Sequence, residues 1–410
     1  MLDEALTAQP ENSILLAASA EIKLQLGDTT GALERAIAAT RADPDDCDAY
    51  VVLAEAYLGK LDYENCGQAA AKALALDATS ASAYEFLSRN RWWKRLYGEA
   101  IDILVLGTKN VPYSEMLWIR LGEKQMALRK LSAAEKSFRN ALDIKPNLEY
   151  AILQIAKILL MQGRHAEALG ELDKRSATES HQFRFLRAKA LAGKGKSDEA
   201  VKILRDLARK PETEIEARIV LSKVYEAKSE LEAALSQAQQ AASRSDRADP
   251  QMAGRAFGRL ATVLLRSGQI DDADGASAEA IDRAPESPEV MLARALVLAE
   301  KGQPGEAKTL ALDARKLNPF MPEVYLTLGE IAIKAKVPSL AANYWQTALY
   351  LDPRNEGLCW RLGEVYRTGV RDAALARLYY TMCANLKGKH STNAEEMLRR
   401  MHKEPDLDQE

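Results

Sequence analysis

Prolines return along this chain at intervals of 34 residues. Pro10 and Pro44 stand 34 apart, the next step falls on Ala78, and two more land on Pro112 and Pro146. Pro285, Pro319 and Pro353 keep the same interval, and the 139 residues from Pro146 to Pro285 make four intervals plus three. One register therefore runs almost the whole length of the 410 residues. A fixed period of this size marks a stacked array, in which each unit can bury its apolar face only against its neighbours.

The residue classes inside one period explain why. With the proline as position 32, the segment 115–148 places Trp118 at 4, Leu121 and Gly122 at 7 and 8, Ala134 at 20, Phe138 at 24 and Ala141 at 27. The segment 322–355 repeats the pattern with Tyr325, Leu328, Gly329, Ala341, Trp345 and Ala348. Positions 4, 7, 8 and 11 share one face of a first helix, and 20, 24 and 27 one face of a second. Small residues at 8 and 20 let the two helices approach closely. Glycine near position 15 (Gly27, Gly163, Gly195, Gly268, Gly302) predicts a left-handed end to the first helix. Proline ends the second, since it lacks a donor and disfavours helix just before it.

On these residues the chain resembles the tetratricopeptide repeat (TPR) family, from residue 13 to about 385. The resemblance implies an all-α, right-handed superhelical solenoid of about eleven helix-turn-helix repeats: 13–46, 47–80, 81–114, 115–148, a short 149–180, 181–214, 215–248, 254–287, 288–321, 322–355 and about 356–389. Two breaks interrupt the period. Ala168 and Ala200 are 32 apart, and Ser222 and Ala261 are 39 apart, with a polar insert at "SDRADPQ" that reads as a loop and a possible seam near 246–252. The expected organisation is one continuous solenoid over 1–390, a C-terminal capping helix over 391–403 and an acidic, disordered tail over 404–410. Thr392 with Glu395 reads as a capping box ahead of Ala394, Met397, Leu398 and Met401. Residues 1–10 match only the close of a second helix, an incomplete edge that suits end-to-end assembly or a larger complex.

Charge and composition exclude several classes. A net charge of −3 gives no global pull toward nucleic acid or an anionic membrane. The start "MLDEALTAQPENS" lacks a basic, then apolar, leader, and no run approaches eighteen apolar residues, so a cytoplasmic chain is expected, or a periplasmic one if it is a piece of an exported protein. Four cysteines (Cys47, Cys66, Cys359, Cys383) without CxxC spacing read as buried thiols. "GKGKS" lacks the first glycine of a phosphate loop, because Ala190 stands there, and Gly195 falls at the repeat's turn instead. Four scattered histidines suggest neither metal nor triad. No enzyme activity and no cofactor are expected.

Positions 2, 5, 9, 12 and 13 of the first helix form a second stripe that stacking does not require. In the family this stripe lines the groove where peptides or partner helices bind. In repeats three to five it is rich in large apolar side chains. The expected binding residues are Arg89, Trp92, Trp93, Met116, Ile119, Glu123, Met126, Tyr150, Leu153, Lys157 and Leu160. Adjacent helical residues point about 100° apart, so one tryptophan faces the groove while the other packs on the neighbouring repeat, in place of the turn glycine missing at Arg95. Packing between repeats alone is the competing reading.

Two specialised partners do not fit. Position 9 is Glu21, Glu55, Arg89, Glu123 and Lys157, never the asparagine of the family's carboxylate clamp, and position 6 (Ala18, Val52, Phe86, Arg120, Gln154) carries no asparagine ladder. The expected function is a scaffold that binds a partner peptide or helix at repeats 3–5, without nucleic acid or membrane insertion. The alternatives are a TPR segment of a larger bacterial envelope assembly for polysaccharide or pilus export, or the regulatory region of an enzyme whose catalytic domain is absent.

Overall fold

A computed structural model describes residues 2–174 and 180–403. Among them are 24 α-helices, a short 3-10 turn and a π-helical turn, with no strand. The tail 404–410 and the segment 175–179, where the shortened repeat was expected to close, lie outside the described residues. The chain forms two compact units, residues 1–158 and 159–410.

The first unit opens with helix Leu2–Ala8 and continues as antiparallel pairs: Ser13–Gln25 with Thr29–Ala42, Cys47–Gly59 with Tyr63–Leu76, Ala81–Trp93 with Tyr97–Asn110, and Glu115–Ala127 with Leu131–Ile144. Most of helix Glu149–Met161 follows. The second unit holds helix His165–Asp173, then His181–Gly193 with Ser197–Leu207, Glu214–Ala227 with Leu231–Ser243, Pro250–Arg266 with Ile270–Arg283, Pro288–Glu300 with Pro304–Leu317, and Pro322–Lys334 with Pro338–Leu351. It closes with Glu356–Glu364, Ala373–Asn385 and Ser391–Lys403.

Local chemistry sets the helix ends. Asn12, Asp28, Asp46, Asp62 and Ser114 accept backbone N–H bonds at helix starts, and Pro288, Pro304, Pro322 and Pro338 open four helices, where a missing donor costs nothing. Every turn within a pair needs one left-handed residue. Gly27, Gly163, Gly195, Gly268 and Gly302 supply it in five, while Leu61, Arg95, Arg129, Ser229, Lys336 and Arg371 adopt positive φ in the others. At Leu61 (φ 59) the following amide, Asp62 N–H, donates to Tyr57 O at 2.9 Å, a Schellman closure made without glycine.

The core lies between the helices of each pair. Ala20, Ala54, Ala156, Ala188, Ala261 and Ala295 at position 8 are fully buried, as are Ala32, Cys66, Ala100, Ala134, Ala200 and Ala234 at position 20. Serine at position 8 ties the pair together: the Ser88 hydroxyl donates to Ala100 O, and that of Ser222 to Ala234 O, each at 2.8 Å. Where position 8 is glycine, an aromatic ring from position 24 lies on it. Phe138 covers Gly122 and Trp345 covers Gly329.

Three local features differ from the sequence reading. The polar insert is mostly helical: after the 3-10 turn Ser245–Arg247, Asp249 caps Met252 N–H and Pro250 starts a helix of 17 residues. In the last pair the first helix runs on as the π-turn Val365–Val370. That turn absorbs one extra residue, so the left-handed position falls on Arg371 and the small and aromatic positions on Ala376 and Tyr380. The terminal helix begins at Ser391, which leaves Thr392 inside it instead of capping it. Its Ala394 and Met401 are buried in one cluster with Tyr380 and Cys383.

Candidate partner-binding site

Helix Ala81–Trp93 lines a cleft of the first unit together with side chains of the neighbouring pairs. Tyr63, Glu85, Arg89, Trp92, Trp93, Arg120, Glu123 and Lys124 line a cleft of ≈ 260 Å³. Three consecutive pairs contribute, so the cleft exists only because stacking brings residues about one period apart side by side.

Each tryptophan has an intramolecular partner. Trp93 is 55% exposed and stacks on Tyr63 of the preceding pair, with ring centroids 5.6 Å apart and planes at 16°. Trp92 meets Tyr97 of its own pair edge-on at 4.8 Å, and Lys124 Nζ lies 4.4 Å above its ring. One face of Trp93 thus packs between repeats while much of the residue stays open to solvent.

Beneath the aromatics lies a charge network. Glu85, 8% exposed, accepts from Arg89 Nη2 at 2.6 Å and pairs with Arg120 Nε at 2.7 Å. Arg120 also reaches Glu123 at 3.1 Å, and Glu123 accepts the Tyr150 hydroxyl at 2.6 Å. Burial, reinforced by that bond to a carboxylate, pushes the Tyr150 hydroxyl up to about 12. The two carboxylates are matched by the two arginines, which leaves Lys124 as the surplus cation of the cleft. Burial and the nearby Arg89 lower its pKa.

The expected residues divide into several groups. Arg89, Trp92, Trp93 and Glu123 line the cleft, and Tyr150 joins it through Glu123. Met116, Ile119 and Met126 are half-buried on helix Glu115–Ala127, Met116 against the cluster around Tyr84 and Leu117. Leu153 is 5% exposed and belongs to the core. Lys157 is half-buried with no ion pair among the described residues, and Leu160 falls in the second unit. Tyr63 and Lys124 were not anticipated. Tyr63 lies just past a turn, off the stripe, and Lys124 sits at position 10, beside the stripe; only the neighbouring pair makes either one part of the cleft.

Among the described residues no group of three or more His, Cys, Asp or Glu is placed to hold a metal ion, and no helix is long and apolar enough to cross a membrane.

Stacked antiparallel pairs in one register, with an interhelical face of small residues and a separate lined stripe, define an α-helical repeat protein. Residues 259–322 of the chain match the family model described as tetratricopeptide repeat, and the helix pairs on either side keep the same register. No curated protein matches. Solved structures similar to it include yeast Tom70 (14% identity, 97% of each chain, TM-score 0.46) and PilF of Pseudomonas aeruginosa (21% identity, 51% of this chain and 92% of that one, TM-score 0.42).

Proposed function

We propose that the first unit holds a segment of a partner protein against the Trp92–Trp93 cleft, so that the chain serves as a scaffold. The carrying observation is Trp93, held flat on Tyr63 yet 55% exposed beside a charged cleft. A large ring already fixed by a neighbour loses little freedom on binding, which makes it an economical anchor. Met116, Ile119, Met126 and Tyr150 extend the apolar surface along the next helices. Arg89 is occupied by Glu85, so Lys124 and Lys157 are the cations open to a partner's acidic group.

The test is a pull-down with wild type, Trp92→Ala and Trp93→Ala side by side, followed by mass spectrometry and titration of any protein lost. Loss of about 2 kcal/mol in binding with unchanged melting supports the reading. Normal binding by both variants together with lower thermal stability would show that the tryptophans serve packing alone.

A further inference from the structure

We propose that the second unit carries its own docking groove, one with a direction: it takes an extended segment with an acidic residue at one end, an apolar centre and a basic residue at the other. This inference does not rest on the cleft of the first unit.

A cleft of ≈ 410 Å³ crosses the first helices of four successive pairs, Glu214–Ala227, Pro250–Arg266, Pro288–Glu300 and Pro322–Lys334. Its middle is apolar, with Leu292, Leu296 and Leu326 on the third and fourth helices. Most charges along it neutralise one another. Arg255 pairs with Glu289 at 3.3 Å, Arg259 and Arg266 both engage Glu226, and Glu330 holds Arg361 at 2.6 Å.

Two charges at opposite ends are left over. Lys223, on the first helix, is exposed and forms no ion pair among the described residues. The groups facing it are Lys189, Arg255, Arg259 and a single carboxylate, Glu289, which Arg255 already engages. Glu323, on the fourth helix, is likewise exposed and without an ion pair among the described residues. A ligand that pairs with both must bring a carboxylate to the Lys223 end and a cation to the Glu323 end. Each of these contacts satisfies a charge that the protein leaves open, and the reversed ligand meets like charge at both ends.

Spacing sets the length. Three helix-to-helix steps of roughly 8–10 Å span about 24–30 Å, which an extended chain at roughly 3.3 Å per residue covers in about nine residues.

The experiment uses the full chain and three fluorescein-labelled nine-residue peptides of glycine and serine with leucines at the centre. One has aspartate first and lysine last, the second has these exchanged, and the third carries asparagine and glutamine instead. Fluorescence anisotropy should show one charged order binding about tenfold tighter than the other and than the neutral peptide. The doubly reversed variant Lys223→Glu with Glu323→Lys should invert the preference, while Trp92→Ala leaves it unchanged. Both exchanged residues are exposed, and circular dichroism confirms the fold. Equal binding of the two orders, an unchanged preference in the double variant, loss of binding in Trp92→Ala, or no binding of any peptide would each overturn the proposal.

Discussion

Trp345 lies across Gly329 within a single helix pair, its indole Nε1 donating to Leu326 O at 3.2 Å. The bond and the burial of the ring, 6% exposed, fix the indole where a Cβ on Gly329 would have to be. Gly329→Ala should therefore destabilise the chain by about 1–3 kcal/mol through overpacking, despite alanine's better helix propensity. Urea denaturation checks this, and an unchanged midpoint would mean that the indole can move aside.

The turn at Leu61 should respond in the opposite direction. This side chain is 72% exposed and contributes little packing, yet its backbone sits at φ 59. Leu61→Gly should stabilise by about 0.5–1 kcal/mol, the relief of left-handed strain less the added freedom of the unfolded chain. A lower melting temperature would contradict it.

Glu55 provides a pH signature. Burial, then repulsion from Glu21 and Glu85, raises its pKa, against an attraction from Arg89. A carboxyl raised in the folded state binds more protons there than in the unfolded chain, so its charged form weakens the fold as pH rises through that raised value. Glu55→Gln should melt higher than wild type at pH 7, and the difference should close below about pH 4, under the ordinary carboxylate range. A gap that widens on acidification would reverse the assignment.

The thiols should divide by burial. Burial pushes Cys66 and Cys359 up to about 11 and Cys383 up to about 12, and all three are buried, whereas Cys47 is half-buried. In native protein at pH 8 a thiol reagent should modify Cys47 first and reach the others only on unfolding. Mass spectrometry of peptides after brief labelling reads the order directly.

The repeat was legible because it is written in side-chain volume. A small residue at 20 recurs in pair after pair and alanine at 27 in most, with an aromatic at 24 where position 8 is glycine, and Trp118 and Tyr325 mark the same place two hundred residues apart. Residues of the cleft were legible only in part. Trp92, Trp93 and Arg89 share one helix face, but Tyr63 and Lys124 belong to neighbouring pairs, and their orientation toward the tryptophans depends on how pairs stack. The helical start at Pro250 was hidden by composition. Serine, aspartate and proline suit a loop, yet the same residues make a good helix cap, and the apolar run that follows selected the cap.

The bulge at Val365–Val370 carries a wider meaning. One surplus residue is accommodated inside a helix, and every later side chain slides by a single number while Tyr380 still comes to rest over Gly363. An insertion error is thus repaired within a turn of where it arises. An architecture that heals its own frame so locally can tolerate changes in length without surrendering the faces it presents.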